Sequence, residues 1–177
     1  MRSDAGRNHE RILDAASRCF SRDGPECGLA AIAKEAGVGS ATMFRHFPAK
    51  QDLIEAVLLR CLVESEDAVE TALAADDPVE GLAELLAHFV QSLVRDRRLH
   101  QLAGQRLMDR RDVRDRRAGV IEGSRIVLRR CQEIGRVVPD VQIMDLLTLT
   151  EGIAGTSGAQ GWKRPLAIVL RGISADR

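Results

Sequence analysis

Apolar residues recur at intervals of three and four along almost the whole chain, and no stretch alternates in the β manner. This spacing predicts an all-α protein. A first helix is expected from about Asn8 to Arg22, with Ile12, Leu13, Ala16 and Phe20 on one face. Gly24 and Pro25 end it. A second, short helix is expected over about Leu29–Ala36, with Leu29, Ile32 and Ala33 inward and Gly37 as its stop. A third is expected over about Ser40–Phe47, broken by Pro48 because the residue before proline avoids helical geometry. A fourth is expected from Lys50 to about Ala74.

Asp76-Asp77-Pro78 marks a boundary, and a fifth helix is expected over about Val79–Arg97 with Leu82, Leu85, Leu86, Phe89, Val90 and Leu93 as its face. Beyond an arginine-rich stretch, the pattern predicts a short helix (Leu99–Met108) and a long one (about Val113–Gly135). Pro139-Asp140 opens another helix reaching about Gly155. Glycines at 152, 155, 158 and 161 weaken its far end. Pro165 suits the first turn of a last helix ending near Ile173.

Two short helices joined by Gly37-Val38-Gly39 are the pattern of a helix-turn-helix, whose corner glycine takes positive φ without penalty. Met43 and Phe47, four apart, are expected to point into a three-helix core. Ser40, Ala41, Thr42, Phe44, Arg45 and His46 then lie on or near the outer side. The first residues of such a helix meet base edges and phosphates in the major groove, helped by the positive end of the helix dipole. Ser40 and Ala41 suit base edges, Ala41 through a thymine methyl. The Thr42 hydroxyl suits a phosphate or a base. Arg45 can fork onto guanine O6 and N7 or hold a phosphate, and His46 and Lys50 suit phosphates.

Charge sharpens this reading. The net charge is zero, with 26 basic and 26 acidic side chains, which is discouraging for a DNA-binding protein, but the distribution matters more than the sum. Locally, however, Gly37–Gln51 carries Arg45, Lys50 and His46 and no acid, whereas Cys61–Glu80 carries Glu64, Glu66, Asp67, Glu70, Asp76, Asp77 and Glu80 and no base. That distribution implies a local phosphate-binding spot. The nine arginines and four acids of Arg95–Arg117 read as a solvated face with internal ion pairs rather than an anion site. Cys19, Cys27, Cys61 and Cys131 lack metal or redox spacing and are expected to be small buried hydrophobes. No apolar run reaches the roughly 18 residues that span a bilayer, and no signal-peptide pattern opens the chain. The expectation is a soluble cytoplasmic protein without membrane contact. No acid–base–nucleophile set is present, and His9, His46, His88 and His100 share no metal spacing, so neither an enzyme, a cofactor nor a metal is expected.

The run Arg11-Ile12-Leu13-Asp14-Ala15-Ala16, Phe20, Gly24, then Ile32-Ala33-Lys34-Glu35-Ala36-Gly37-Val38, then Thr42 to Leu53 resembles the TetR family of bacterial transcriptional regulators over about residues 7 to 60. The resemblance implies an all-helical homodimer. Three N-terminal helices form the DNA module (residues 1–50), and a fourth links it to a ligand-binding and dimerisation bundle (residues 51–177). It also implies a repressor on a palindromic double-stranded operator, released by a small molecule of unknown identity. By motif position, Ser40, Ala41, Thr42, Phe44, Arg45, His46 and Lys50 inherit the DNA contacts. This chain departs from the pattern at Gly39, where serine usually caps the reading helix, although Ser40 offers a substitute hydroxyl. It also departs at Phe44, where tyrosine usually meets a phosphate, at Gly28, where a hydroxyl is usual, and at Ala30, often a cation or polar group. Weaker non-specific affinity and a shallower salt dependence follow.

In the bundle, an apolar pocket with few polar groups is expected. The inward candidates are Phe89, Leu93, Leu102, Met108, Ile121, Leu128, Met144, Leu147 and Thr148, although core packing accounts for each one singly. For dimerisation the candidates are Leu146, Leu149, Ile153, Gly155, Trp162, Ile168, Val169 and Ile173. The alternative reading is a helical protein that sequesters a ligand or partner with little DNA binding.

Overall fold

The computed structural model describes residues 4–102, 107, 109–156 and 161–175; the side chains of 5, 25 and 96–102 fall outside that description. Among the described residues there are eight α-helices, so the all-α class holds. Helix α1 (Asp4–Asp23) starts four residues earlier than the apolar pattern suggests, with Asp4 in its first turn paired to Arg7 one turn on. Both the dipole and the i,i+3 pair favour that start. Gly24, at φ 67°, ends α1, and a single 3₁₀ turn (Gly24–Glu26) carries the chain to α2 (Leu29–Ala36).

Gly37 stops α2 in the left-handed conformation (φ 63°, ψ 36°). The N–H of Val38 donates to Ala33 O at 3.0 Å and that of Gly37 to Lys34 O at 3.1 Å, which satisfies carbonyls the helix end leaves open. Helix α3 (Ser40–His46) follows and ends at Phe47, which is extended ahead of Pro48. Helix α4 (Lys50–Ala74) opens with the Ala49 N–H donating to the Asp52 carboxylate at 2.9 Å.

Helix α5 (Pro78–Leu102) begins at a proline, with the Val79 N–H donating to Asp77 Oδ1 at 2.8 Å. It runs on through Arg97–Leu99, where a break was expected. Neither glycine nor proline interrupts it there, and arginine and leucine are good helix formers. Helix α6 (Arg111–Glu133) ends ahead of Gly135, which is left-handed. Helix α7 starts at Ile143, not at Pro139, and runs to Thr156. Asp145 accepts from the Gln142 N–H at 2.9 Å, which fixes the start. Gln132 Nε2 donates to Val138 O and Val141 O and holds the preceding turn. Helix α8 (Lys163–Gly172) begins two residues before Pro165. A β-bridge pairs Val137 with Ser174, flanked by the Val138 N–H on Ile173 O.

The chain divides into two compact units, residues 1–61 with 95–110, and residues 62–94 with 111–177. In the first, Ile12, Ala16, Phe20, Ile32, Met43, Leu53 and Val57 are buried together with Phe47. Cys19 and Cys27 correct the sequence reading: both are buried, but they are joined by a disulfide across the α1–α2 corner. The helical 3.6 period puts Cys19 on the core face at the last turn of α1, and the 3₁₀ turn brings Cys27 back to it. Their separation of eight residues matches no cysteine motif.

In the second unit the core is built from Leu82, Leu85, Leu86, Val90, Val127, Leu128, Cys131, Leu146 and their neighbours. Helix α7 turns Ile143, Leu146, Thr150, Ile153 and Ala154 inward. Leu146, Ile153, Trp162 and Ile173, expected at a dimer interface, are therefore buried in the chain's own core. Met144 and Thr148, expected inward, are exposed, because they lie on the opposite face of α7. Among the described residues no helix is long and apolar enough to cross a membrane.

Candidate nucleic-acid interface

The reading helix is positioned by α1 and α2. Arg11 Nη2 donates to Gly37 O at 3.2 Å, so a cation on α1 holds the turn carbonyl. The fit is close: a Cβ on Gly37 would lie 2.6 Å from Arg11 Nη2. Further along α1, Arg18 Nε donates to Glu35 at 2.9 Å and Arg22 Nη2 at 3.3 Å, tying α1 to α2. The Arg18 guanidinium, then that of Arg22, holds the Glu35 carboxyl below its usual value, and Asp23 and Glu35 together hold Arg22 above its own. These positioning residues were missed in the sequence. Their trace is a face of α1 with arginines at 11, 18 and 22, seven and four apart.

On α3, Met43 and Phe47 point into the core as expected. His9 of α1 stacks on Phe47 with ring centroids 5.2 Å apart, and His46 lies 5.9 Å from His9. Ser40, Ala41, Phe44 and Arg45 are exposed, and Thr42, His46 and Lys50 are half-buried. Phe44 is 55% exposed, a large cost for an aromatic ring in water unless something covers it. Lys50 Nζ lies 5.8 Å from the centre of the Phe20 ring, within cation–π range. The seven sequence-derived positions thus fall on one short helix and the start of the next.

Helix α3 is capped by Gly39 and α2 by Gly28, each without a side-chain hydrogen bond. The Ser40 hydroxyl does not take over the cap, because Ser40 is already the first helical residue. A Cβ at Gly28 or Gly39 would meet nothing within 4 Å. The first backbone N–H groups of both helices therefore rely on outside acceptors, and an anion is the partner the dipole favours.

Elsewhere, ion pairs take up part of the arginine run: Arg110 meets Glu55 at 3.6 Å, Arg111 meets Asp115 at 3.7 Å and Arg116 meets Glu66 at 3.4 Å. Among the described residues, Cys19, Asp23 and Cys27 make a group of potential metal ligands, but the disulfide occupies two of the three donors. Cys131 donates to Pro78 O at 3.0 Å, and burial pushes its thiol up. Of the ligand-pocket positions, Phe89 and Leu128 are buried, and Leu93, Ile121 and Leu147 are half-buried. Leu102, as a side chain, and Met108 lie outside the described residues.

The pattern that defines bacterial regulatory proteins of the tetR family matches residues 12–57, and that of the C-terminal domain of SbtR-like transcriptional regulators matches residues 77–175. The chain is 32% identical over 137 residues to the HTH-type transcriptional regulatory protein RaaS of Mycobacterium tuberculosis, a match covering 71% of this chain and 65% of that protein. It is 43% identical over 63 residues to the HTH-type transcriptional regulator SAUSA300_2515 of Staphylococcus aureus, covering 35% of this chain and 34% of that protein. The chain thus spans less than two thirds of the length of these relatives. The crystal structure of the TetR transcriptional regulator SCO0520 from Streptomyces coelicolor is similar at a TM-score of 0.77 and 27% identity, covering 96% of this chain and 99% of that one. The fold is also shared with the ketosteroid transcriptional regulator KstR2 of Mycobacterium tuberculosis, at a TM-score of 0.71 and 21% identity, over 94% of each chain.

Proposed function

Because the chain belongs to the TetR family of bacterial transcriptional regulators, a non-enzymatic helix-turn-helix class, we propose that it is a homodimeric repressor of a palindromic operator, released by a small molecule. The observation that carries the DNA half of this reading is α3. It sets Ser40, Ala41 and Arg45 on its exposed side, with Thr42, His46 and Lys50 beside them, on a segment free of acids. Residues 1–50 supply the DNA module, and residues 51–177 supply the ligand site and dimer face.

The dimer reading is supported by the solvent side of α7 and α8, where Leu149 and Ile168 are exposed and an added Cβ at Gly155 would meet nothing. Val169 lies beside them, half-buried. Two reading helices in a dimer would engage successive major grooves about 34–36 Å apart. An effector among Phe89, Leu93, Ile121, Leu128 and Leu147 would need a coupling of roughly 1–3 kcal/mol to switch occupancy. The protein's place of action is the cytoplasm, where its DNA lies.

The test is a titration of the double-stranded DNA flanking the chain's own gene with the wild-type protein and with an Arg45→Glu, Lys50→Glu variant. The wild type is expected to bind, and the variant to lose binding while keeping its melting temperature and oligomeric state. A wild type that does not bind would instead favour a sequestering protein, and a variant that binds as well as the wild type would move the DNA face off Arg45 and Lys50.

A further inference from the structure

The α1–α2 corner carries chemistry that DNA binding leaves unused. Cys19 lies one turn before the end of α1, and Cys27 immediately precedes Gly28, the cap of α2. Their disulfide closes a short loop over the 3₁₀ turn. Cys19 is fully buried and Cys27 is 4% exposed. Arg22 Nη2 sits 3.6 Å from Cys19 Sγ, and the same guanidinium pairs with Asp23 and with Glu35 of α2. A cation at this distance favours a thiolate over a thiol, while Asp23 Oδ2, 3.8 Å from the same sulfur and itself paired with Arg22, works against it. One arginine thus touches a sulfur, the end of α1 and the flank of α2.

A bacterial regulator meets its DNA in a compartment that keeps thiols reduced, and disulfides found there are transient, catalytic or redox-sensing. A disulfide inside a DNA-binding unit, with no catalytic set around it among the described residues, fits the last of these. We propose that Cys19 and Cys27 form a reversible dithiol–disulfide site that sets the DNA affinity of this unit, the oxidised form binding the tighter. The proposal rests on the DNA-binding reading above.

The oxidant is a hydroperoxide and the reductant a dithiol. The Cys27 thiolate, nearer the surface, attacks the outer peroxide oxygen, the O–O bond breaks and an alcohol leaves. The Cys19 thiolate, held by Arg22, then attacks the resulting sulfenic sulfur, and hydroxide leaves as water. Two electrons pass from the thiols to the peroxide. A dithiol reverses this, returning two electrons and two protons. The link to affinity is mechanical. Gly28 offers no side-chain cap, so the crosslink one residue earlier sets where α2 begins. Reduction moves two buried sulfurs from bonding distance to van der Waals contact in a close-packed site. The start of α2, and with it the Gly37 turn and α3, must then give.

The experiment compares wild-type protein treated with a hydroperoxide and with dithiothreitol, titrated with the DNA flanking its own gene. Alkylation under denaturing conditions followed by mass spectrometry counts the thiols. The oxidised form is expected to lack two alkyl groups and to bind about fivefold or more tightly, reversibly. Cys27→Ala is expected to bind like the reduced wild type and to ignore the oxidant; should it not fold, the wild-type comparison decides alone. Four alkylated thiols after oxidation, or binding by the reduced form as tight as or tighter than by the oxidised, overturns the proposal. DNA binding by neither form, even at low salt, overturns the DNA reading as well, whereas binding indifferent to the disulfide overturns this proposal only.

Discussion

Phe44 shows what one missing atom does. Its ring is 55% exposed on the reading helix, and this chain has no tyrosine at any position. A phenol there would reach outward and donate to a phosphate, a charge-assisted bond. Phe44→Tyr is expected to tighten operator binding by about tenfold or slightly more for each reading helix, in line with the roughly 1.5 kcal/mol at the low end of such bonds. The melting temperature should not change, because the side chain is already more than half exposed. Fluorescence anisotropy at fixed salt checks it, and unchanged affinity would remove Phe44 from the DNA face. Gly37 is the complementary case. Its left-handed backbone and its closeness to Arg11 were half legible: a glycine at a helix corner announces positive φ, but nothing in the sequence pairs it with a cation 26 residues away.

At the scale of elements, α1 and α2 are held by ion pairs as well as by apolar contact. Glu35 accepts from Arg18 and Arg22, and its native carboxyl titrates below the usual range, chiefly through the Arg18 hydrogen bond. A depressed carboxylate contributes stability that is present above its unfolded value, about 4.3, and is lost as pH falls through its native one. Glu35→Gln is therefore expected to lower stability slightly at pH 7 and to flatten the decline of the urea midpoint below about pH 4.3. A variant with the wild-type acid limb would show that the pairs contribute nothing to folding. Helix existence was legible almost everywhere, because the 3.6 period is strong in Ile12–Phe20 and Leu82–Leu93. Boundaries failed where side-chain caps decide them. Asp145 sets the start of α7 after Gln142, although Pro139 looks like the stronger marker, and α5 passes through an arginine run that interrupts the apolar pattern without ending the helix.

For the whole molecule, the placement of Ser40–His46 on one short helix was legible in their spacing. The bundle was less so. Periodicity tells which residues share a helix face, but not whether that face meets the chain's own core or a second copy. Leu146 and Ile153 went to the core, while Leu149 and Ile168 stayed outside. If the exposed pair forms the dimer, Leu149→Asp with Ile168→Asp is expected to give a folded monomer by light scattering, since neither residue supports the protomer core. Losing the second reading helix removes avidity, so operator affinity should fall by about 100-fold or more. A variant that stays dimeric would place the interface elsewhere. One buried residue makes these events separable in solution. Trp162, the only tryptophan, sits at the start of α8 within the core of the second unit, so the first unit contributes no indole emission. Intrinsic fluorescence is therefore an optical probe confined to one half of the chain. A spectral shift on adding a candidate effector reports on the bundle, and one on adding bare DNA is a signal that has travelled from the other unit.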